Sequence, residues 1–263
     1  MVPRARPTSG RPEQVEALLR AAARYPRKLV PWEEFLVRVG EYPDRLERTY
    51  VPGGRVVELG GGLACTSVAL AYLGMDVHVV DNFSRPYYAL LPWQRARRLV
   101  EEAGVHIHQA DILESDLAFV ADGSVDRIVT FDCLEHLHHS PKAILERCVE
   151  KLATGGRLLV GVPNAVNLMK RMRVLAGRSN LEPAHAFYHH GQPFTGHVRE
   201  WTAGELLQLA RWLGLSEARV IGRNWLGYRK YERVPVVAKF AIDQLLRPLP
   251  TLCSDLLLEA VKR

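Results

Sequence analysis

The 263 residues are enough for one sizeable α/β domain with embellishments and do not require a second domain. With 48% hydrophobic and 24% charged residues, the composition is that of an ordinary soluble globular chain. The net charge of +6 would suit an anionic partner, but the basic residues are spread along the whole chain, so a nucleic-acid partner is not favoured.

The first ten residues are polar, with no apolar stretch behind their charges, and read as a disordered lead rather than a signal peptide. A helix is expected from Pro12, with Val15, Leu18, Leu19 and Ala22 on one face, and a second short one over Trp32–Val39. Pro43, Pro52 and Gly53-Gly54 then punctuate the chain ahead of the first strand. From Arg55 strands and helices alternate. Strands are expected at Val56–Leu59, Asp76–Val80, Val105–Gln109, Val125–Phe131 and Arg157–Val162. The helices between them are expected at Ala64–Leu73, Trp93–Ala103 and Pro141–Leu152, the last followed by a turn at Thr154-Gly155-Gly156. This alternation argues for a parallel sheet with right-handed crossovers. Residues 164–200 read as irregular, and Thr202 with Glu205 forms a capping-box pattern that opens a helix to Leu213. Strands at Ala218–Ile221 and Leu256–Val261 close the chain, with a partly helical stretch, Tyr228–Leu249, between them. The longest apolar run, Leu63–Leu73, is too short to span a bilayer. Four scattered cysteines in apolar segments, with no CxxC pair, point to reduced thiols and a cytoplasmic location.

Chemistry concentrates at the strand ends. Gly60-Gly61-Gly62 lies between a strand and a helix, where glycine lets a ligand approach the backbone and the helix start offers N–H groups. Acids follow the next three strands: Asp81, which can take ribose hydroxyls, then Asp111 and Asp132. Open parallel sheets bind ligands beyond the carboxyl ends of their strands, so these residues are expected to face one crevice.

Val56–Gly62 resembles the first motif of class I S-adenosylmethionine-dependent methyltransferases, and Phe131–Leu137 resembles their fourth. Leu152–Pro163 is similar to the fifth strand of that family, and the likeness runs in order and spacing from Arg55 to Gly214. Ala64 stands where the family often has a third glycine. The resemblance implies a Rossmann-like α/β fold with a seven-stranded, mostly parallel sheet and helices on both faces. It also implies an N-terminal helical extension over residues 1–54, a methyltransferase domain over 55–263, and a cap insert at 164–201. It implies S-adenosyl-L-methionine as cofactor. Glu58 would lie near the methionine amino group, Gly60, Gly61 and Gly62 beneath the cofactor, and Asp81 and Asn82 at the ribose. Asp111 would accept from the adenine amine, with Ile112 against the ring and Asp132 beyond the fourth strand.

Methyl transfer to a hydroxyl needs alignment and a base, and histidine titrates in the right range. His136 and His139 follow the fourth strand, with His138 between them, and His189, His190 and His197 lie in the insert with His185. Asp132-x-x-Glu135-His136 resembles an element of the ubiquinone-pathway O-methyltransferases implicated in divalent-metal binding. Glu135 also suits a helix N-terminus, so a divalent metal is not favoured. The expected reaction is O-methylation of a small-molecule acceptor: a sugar, a polyketide or a phenol. The alternatives are an RNA-directed methyltransferase, a nicotinamide-dependent oxidoreductase and a non-catalytic cofactor-binding relative. No Asn/Asp-Pro-Pro-aromatic run and no Tyr-x-x-x-Lys element supports the first two.

Overall fold

The computed structural model describes residues 12–25, 41–84, 91–191, 193–224 and 236–263. The expected lead, the helix at Trp32–Val39 and most of the first half of Tyr228–Leu249 lie outside them. The chain forms two compact units, Met1–Asp111 and Ile112–Arg263.

In the first unit, β1 (Arg55–Leu59), β2 (Asp76–Asp81) and β3 (Val105–Gln109) run parallel in the order β3-β2-β1. Val56, Val57, Leu59, Val77, Val79 and Val80 are all buried, so successive residues pointing to opposite faces both meet cover. The helices are α1 (Pro12–Ala22), α2 (Glu41–Thr49), α3 (Cys65–Tyr72) and α4 (Trp93–Glu101). Helix α1 packs on α3, and its buried stripe is Gln14, Ala17, Leu18, Ala21 and Ala22. Leu19, expected on the inner face, is exposed, so the buried stripe runs through Gln14, Ala17 and Ala21 instead. Helix α2 was not expected. Pro43 is tolerated in its first turn, where backbone N–H groups have no intrahelical acceptor, and the ion pairs Glu41–Arg45 and Asp44–Arg48 bridge successive turns.

In the second unit the strand order is β4-β5-β7-β6. Strands β4 (Val125–Phe131) and β5 (Leu152–Pro163) are parallel, and β7 (Asp255–Val261) runs antiparallel to both β5 and β6 (Ser216–Arg223). The helices are α5 (Lys142–Lys151), α6 (Leu168–Leu175), α7 (Ala184–Tyr188), α8 (Ala203–Trp212) and α9 (Val236–Leu246). The turn expected at Thr154-Gly155-Gly156 lies inside β5. The pairing slips from Val125↔Leu152 to Arg127↔Arg157, so the extra residues loop out as a bulge, with Gly155 at φ +78°. The stretch expected to be irregular carries α6 and α7. The capping box holds as expected: Thr202 Oγ1 accepts the Glu205 N–H at 3.2 Å, and the Glu205 carboxylate accepts the Thr202 N–H at 2.8 Å.

The architecture is the expected α/β class, with seven strands among the described residues and only β7 reversed. All four cysteines are buried free thiols. Among the described residues, no helix is long and apolar enough to cross a membrane.

Candidate functional site

In the first unit, β1 ends in the turn that carries the glycines. Gly60 (φ +74°) and Gly62 (φ +54°) occupy left-handed conformations, and Ala64 (φ +52°) does so at the mouth of α3. Ala64 thus fills a position where glycine is unstrained, at a local cost of roughly 1–2 kcal/mol. Gly61 is required for space: a Cβ there would stand 2.6 Å from Val79 Cγ1 and 3.3 Å from Glu58 Oε2.

The turn is tied to the acid that closes β2. Asp81 Oδ2 accepts the Gly62 N–H at 2.9 Å, and Oδ1 accepts the Phe83 N–H at 2.7 Å. Two backbone donors therefore hold this buried carboxylate in one orientation. Phe83, itself left-handed (φ +55°), stacks on Trp93 with ring centroids 3.5 Å apart. Asn82 is exposed, and its side chain accepts from the backbone N–H and hydroxyl of Ser84. Asp111 is also exposed, two residues beyond β3.

Glu58 is buried on β1 and accepts a hydrogen bond from Ser67 Oγ on α3. Burial pushes its carboxyl up to about 7, and the charge of Asp81 adds to that; the Ser67 hydrogen bond and the guanidinium of Arg45 oppose it. Arg45 is held by Glu41 at 2.6 Å. Tyr25 closes the other side of the turn by donating its hydroxyl to the Leu63 carbonyl. Sequence reasoning found Glu58, the glycines and Asp81, but missed Ser67, Arg45, the Phe83–Trp93 stack and the tie of Tyr25 to the turn. Ser67, Arg45 and Trp93 come from neighbouring helices, Tyr25 and Phe83 from the segments after α1 and β2, and only the short Glu58–Ser67 separation carries a local signal.

In the second unit, Ile112 is buried and opens a 3-10 turn. Asp132 follows β4 in a left-handed conformation (φ +51°), is exposed, and donates its N–H to the Gly161 carbonyl at 2.9 Å. Glu135 and His136 lie on the next 3-10 turn, Leu134–His136, with Glu135 1% exposed. The backbone carbonyl of Glu135 accepts N–H groups from Val198 and Arg199, fastening the end of the insert to this turn.

That fastening brings His197 to His136, with ring centroids 4.9 Å apart in an edge-on arrangement. His136 Nδ1 is 2.9 Å from the Gly196 carbonyl. A carbonyl only accepts, so Nδ1 carries the proton and Nε2 holds the lone pair. His197 Nδ1 lies 2.8 Å from Glu200 Oε1, which fixes the same tautomer. Glu200 in turn pairs with Lys170 on α6. Glu135, His136 and His197 offer three ligand atoms within 4.8 Å of one another; the triplet anticipated for a metal had Asp132 in place of His197. The other candidate histidines of this unit stand outside that triplet, with His185 and His189 in ring contact at 4.5 Å. His138 Nε2 donates to the Phe194 carbonyl, His190 lies between Gly191 and Thr195, and His139, His185 and His189 are exposed.

Residues 32–217 match the methyltransferase domain family. The chain belongs to that family. A ubiquinone biosynthesis O-methyltransferase of Xanthomonas euvesicatoria pv. vesicatoria is 27% identical to this methyltransferase over 205 residues, covering 73% of this chain and 83% of the relative. Among solved structures, a SAM-dependent methyltransferase of Thermotoga maritima, described as a possible histamine N-methyltransferase, superposes with a TM-score of 0.56 at 16% identity. It covers 94% of this chain and 100% of its own. A SAM-dependent methyltransferase of Archaeoglobus fulgidus gives 0.56 at 15% identity, covering 90% and 97%. The class implied by the family resemblance, an S-adenosylmethionine-dependent methyltransferase, is the class found.

Proposed function

We propose that this methyltransferase moves a methyl group onto a hydroxyl oxygen of a small molecule, in the range of sugars, polyketides and phenols. The O-methyltransferase name of the curated relatives supports oxygen as the accepting atom. Bound S-adenosylmethionine supplies an activated methyl on a sulfonium that leaves as a neutral thioether. Glu58 meets the donor's ammonium, and Gly60, Gly61 and Gly62 let its chain lie against the backbone. Asp81, with Asn82, would take the ribose hydroxyls, Asp111 and Ile112 would serve the adenine, and Asp132 would contribute to the cofactor site from beyond the fourth strand. Residues 164–201 act as the acceptor's cap on the domain 55–263, with 1–54 as a helical extension.

The observation that carries the choice of base is the tautomer shared by His136 and His197. Each has its Nδ1 proton committed to a fixed oxygen, so each offers Nε2 as a proton acceptor. His136 Nε2, or His197 Nε2 oriented by Glu200, takes the proton from the acceptor O–H as that oxygen gains the methyl. Neither His139 nor His189 has a comparable orienting partner among the described hydrogen bonds, and His190 is held only by its own neighbourhood.

The test uses methyl-labelled donor with a panel of hydroxyl and amine acceptors, on the wild type and on His136→Ala and His197→Ala. Loss of about 10²–10⁴ in kcat with unchanged affinity for S-adenosylhomocysteine is expected for at least one variant. If both variants keep wild-type kcat, the base is elsewhere; if only amines are labelled, the oxygen assignment falls. The proximity of Glu135, His136 and His197 also favours a second reading, a divalent cation that orients the acceptor hydroxyl. Activity abolished by chelation and restored by a divalent cation would select it.

A further inference from the structure

The amino ends of β2 and β3 carry a group that the cofactor turn does not use. The parallel register sets His78 opposite His106, so both side chains leave the same face of the sheet. Asp76, two residues before His78, shares that face, as does His108, two residues after His106. The rings of His106 and His108 both stack on His78, at 4.8 and 5.3 Å between centroids. Asp76 opens β2 and Asp81 closes it, so Asp76 stands roughly 16 Å, and His78 roughly 10 Å, along the strand from Asp81.

Three ligand atoms face one another here. His78 Nε2 is 3.2 Å, and His106 Nε2 3.6 Å, from Asp76 Oδ1. Metal–ligand bonds of about 2.0–2.1 Å in a tetrahedral shell place neighbouring ligand atoms about 3.4 Å apart, midway between those two distances. The third separation, between the two imidazole nitrogens, lies within 4.8 Å. Closing it takes a swing of His106, whose side chain is 62% exposed and has room to move.

The surrounding atoms orient this set as outer partners orient a metal site. Arg55 Nε binds Asp76 Oδ2 at 2.6 Å, which turns Oδ1 toward the imidazoles. His78 Nδ1 is 3.0 Å from His108 Nε2, which engages the distal nitrogen of His78 and leaves Nε2 on the Asp76 side. We propose that Asp76, His78 and His106 bind a divalent transition cation of the Zn²⁺ type, with His108 and Arg55 as its outer partners. Two imidazoles and one carboxylate suit Zn²⁺, Ni²⁺, Co²⁺ or Cu²⁺ rather than the oxygen-seeking Mg²⁺ or Ca²⁺. The bound ion ties the amino ends of β2 and β3 together, away from the strand ends that carry the cofactor motif.

The test titrates Zn²⁺ alone into the chelator-stripped full chain, by calorimetry, with Co²⁺ visible absorption as a second signal. The comparison is His106→Ala, an exposed substitution that leaves the core intact. One equivalent bound by the wild type is expected to disappear, or to weaken at least tenfold, in the variant. Zn²⁺ is expected to raise the wild-type Tm by more than it raises the variant's, while methyl transfer is the same in both. Identical affinity and stoichiometry in the two proteins would overturn the proposal and assign any Zn²⁺ to the other cluster, Glu135, His136 and His197. Absence of wild-type binding in the micromolar range would overturn it as well.

Discussion

Glu58 joins stability and ligand binding in a single carboxyl. Its folded-state value of about 7 lies above the 4.5 of an unburied glutamate, so the folded protein holds a proton that the unfolded chain releases between those values. Stability from this group is therefore full below about pH 4.5 and is lost as pH rises through 7. Glu58→Gln keeps the polar contact with Ser67 and removes the titration. The variant is expected to gain roughly 1–3 kcal/mol over the wild type at pH 8, with the gain vanishing near pH 4. Its affinity for S-adenosylmethionine should fall, because the carboxylate that would meet the donor's ammonium is gone. Thermal melts across pH with parallel calorimetric titrations check both; melting curves that run parallel across pH would sink the linkage. A purely structural glutamate would give the stability change without the affinity loss. The acid itself was legible as the end of an apolar strand before glycines. Ser67 and Arg45, which oppose the effect of its burial, were not, because they reach it from α3 and α2.

At the scale of elements, legibility followed burial. Strands β1 to β5 and helix α8 announced themselves because their apolar residues point into a core or their cap is written in the sequence. Helices α6 and α7, neither with a buried face, were missed because Gly177, Pro183, Gly191, Pro193 and Gly196 mark the stretch as irregular. Met169, Met172 and Leu175 recur in α6 at helical spacing but are exposed, as are Phe187 and Tyr188 in α7. The insert is held instead at its ends. Asn164, fully buried, donates to the Cys253 and Thr251 carbonyls at 2.8 and 3.1 Å and accepts the Val166 N–H at 3.0 Å. Asn180 reaches back to the Ala165 carbonyl, and Asn167 caps α6 by accepting the Lys170 N–H. Asn164→Ala leaves two carbonyls and an N–H without this partner, at a cost of about 1–3 kcal/mol. The expected result is faster amide exchange and easier proteolysis through residues 165–190, with α8 unchanged. Unaltered exchange in α6 would show that the insert is anchored elsewhere.

For the molecule as a whole, the alternation of strands and helices identified the fold class, and the resemblance carried by the glycines and strand-end acids implied the donor. The acceptor was not legible, since no motif in the chain encodes it and the insert proposed to cap it has no periodic pattern that encodes its packing. Charge behaves similarly: the net +6 is a sum over scattered residues and has no surface meaning without a tract. A ligand that binds only the folded chain stabilises it by about 2.7 kcal/mol at one hundred times its Kd. For a protein of this size that raises Tm by roughly 5–10 °C. S-adenosylhomocysteine is expected to produce this shift, and NADH at equal concentration none. Asp81 gives the sharper version, since both its oxygens already accept from the turn. Asp81→Asn replaces one acceptor with a donor facing a backbone N–H, so the ligand-free Tm should fall and the ligand-induced shift should shrink with it. A lowered Tm with a full shift would mean that Asp81 shapes the turn but does not touch the ribose, and would move the ribose contact to another group.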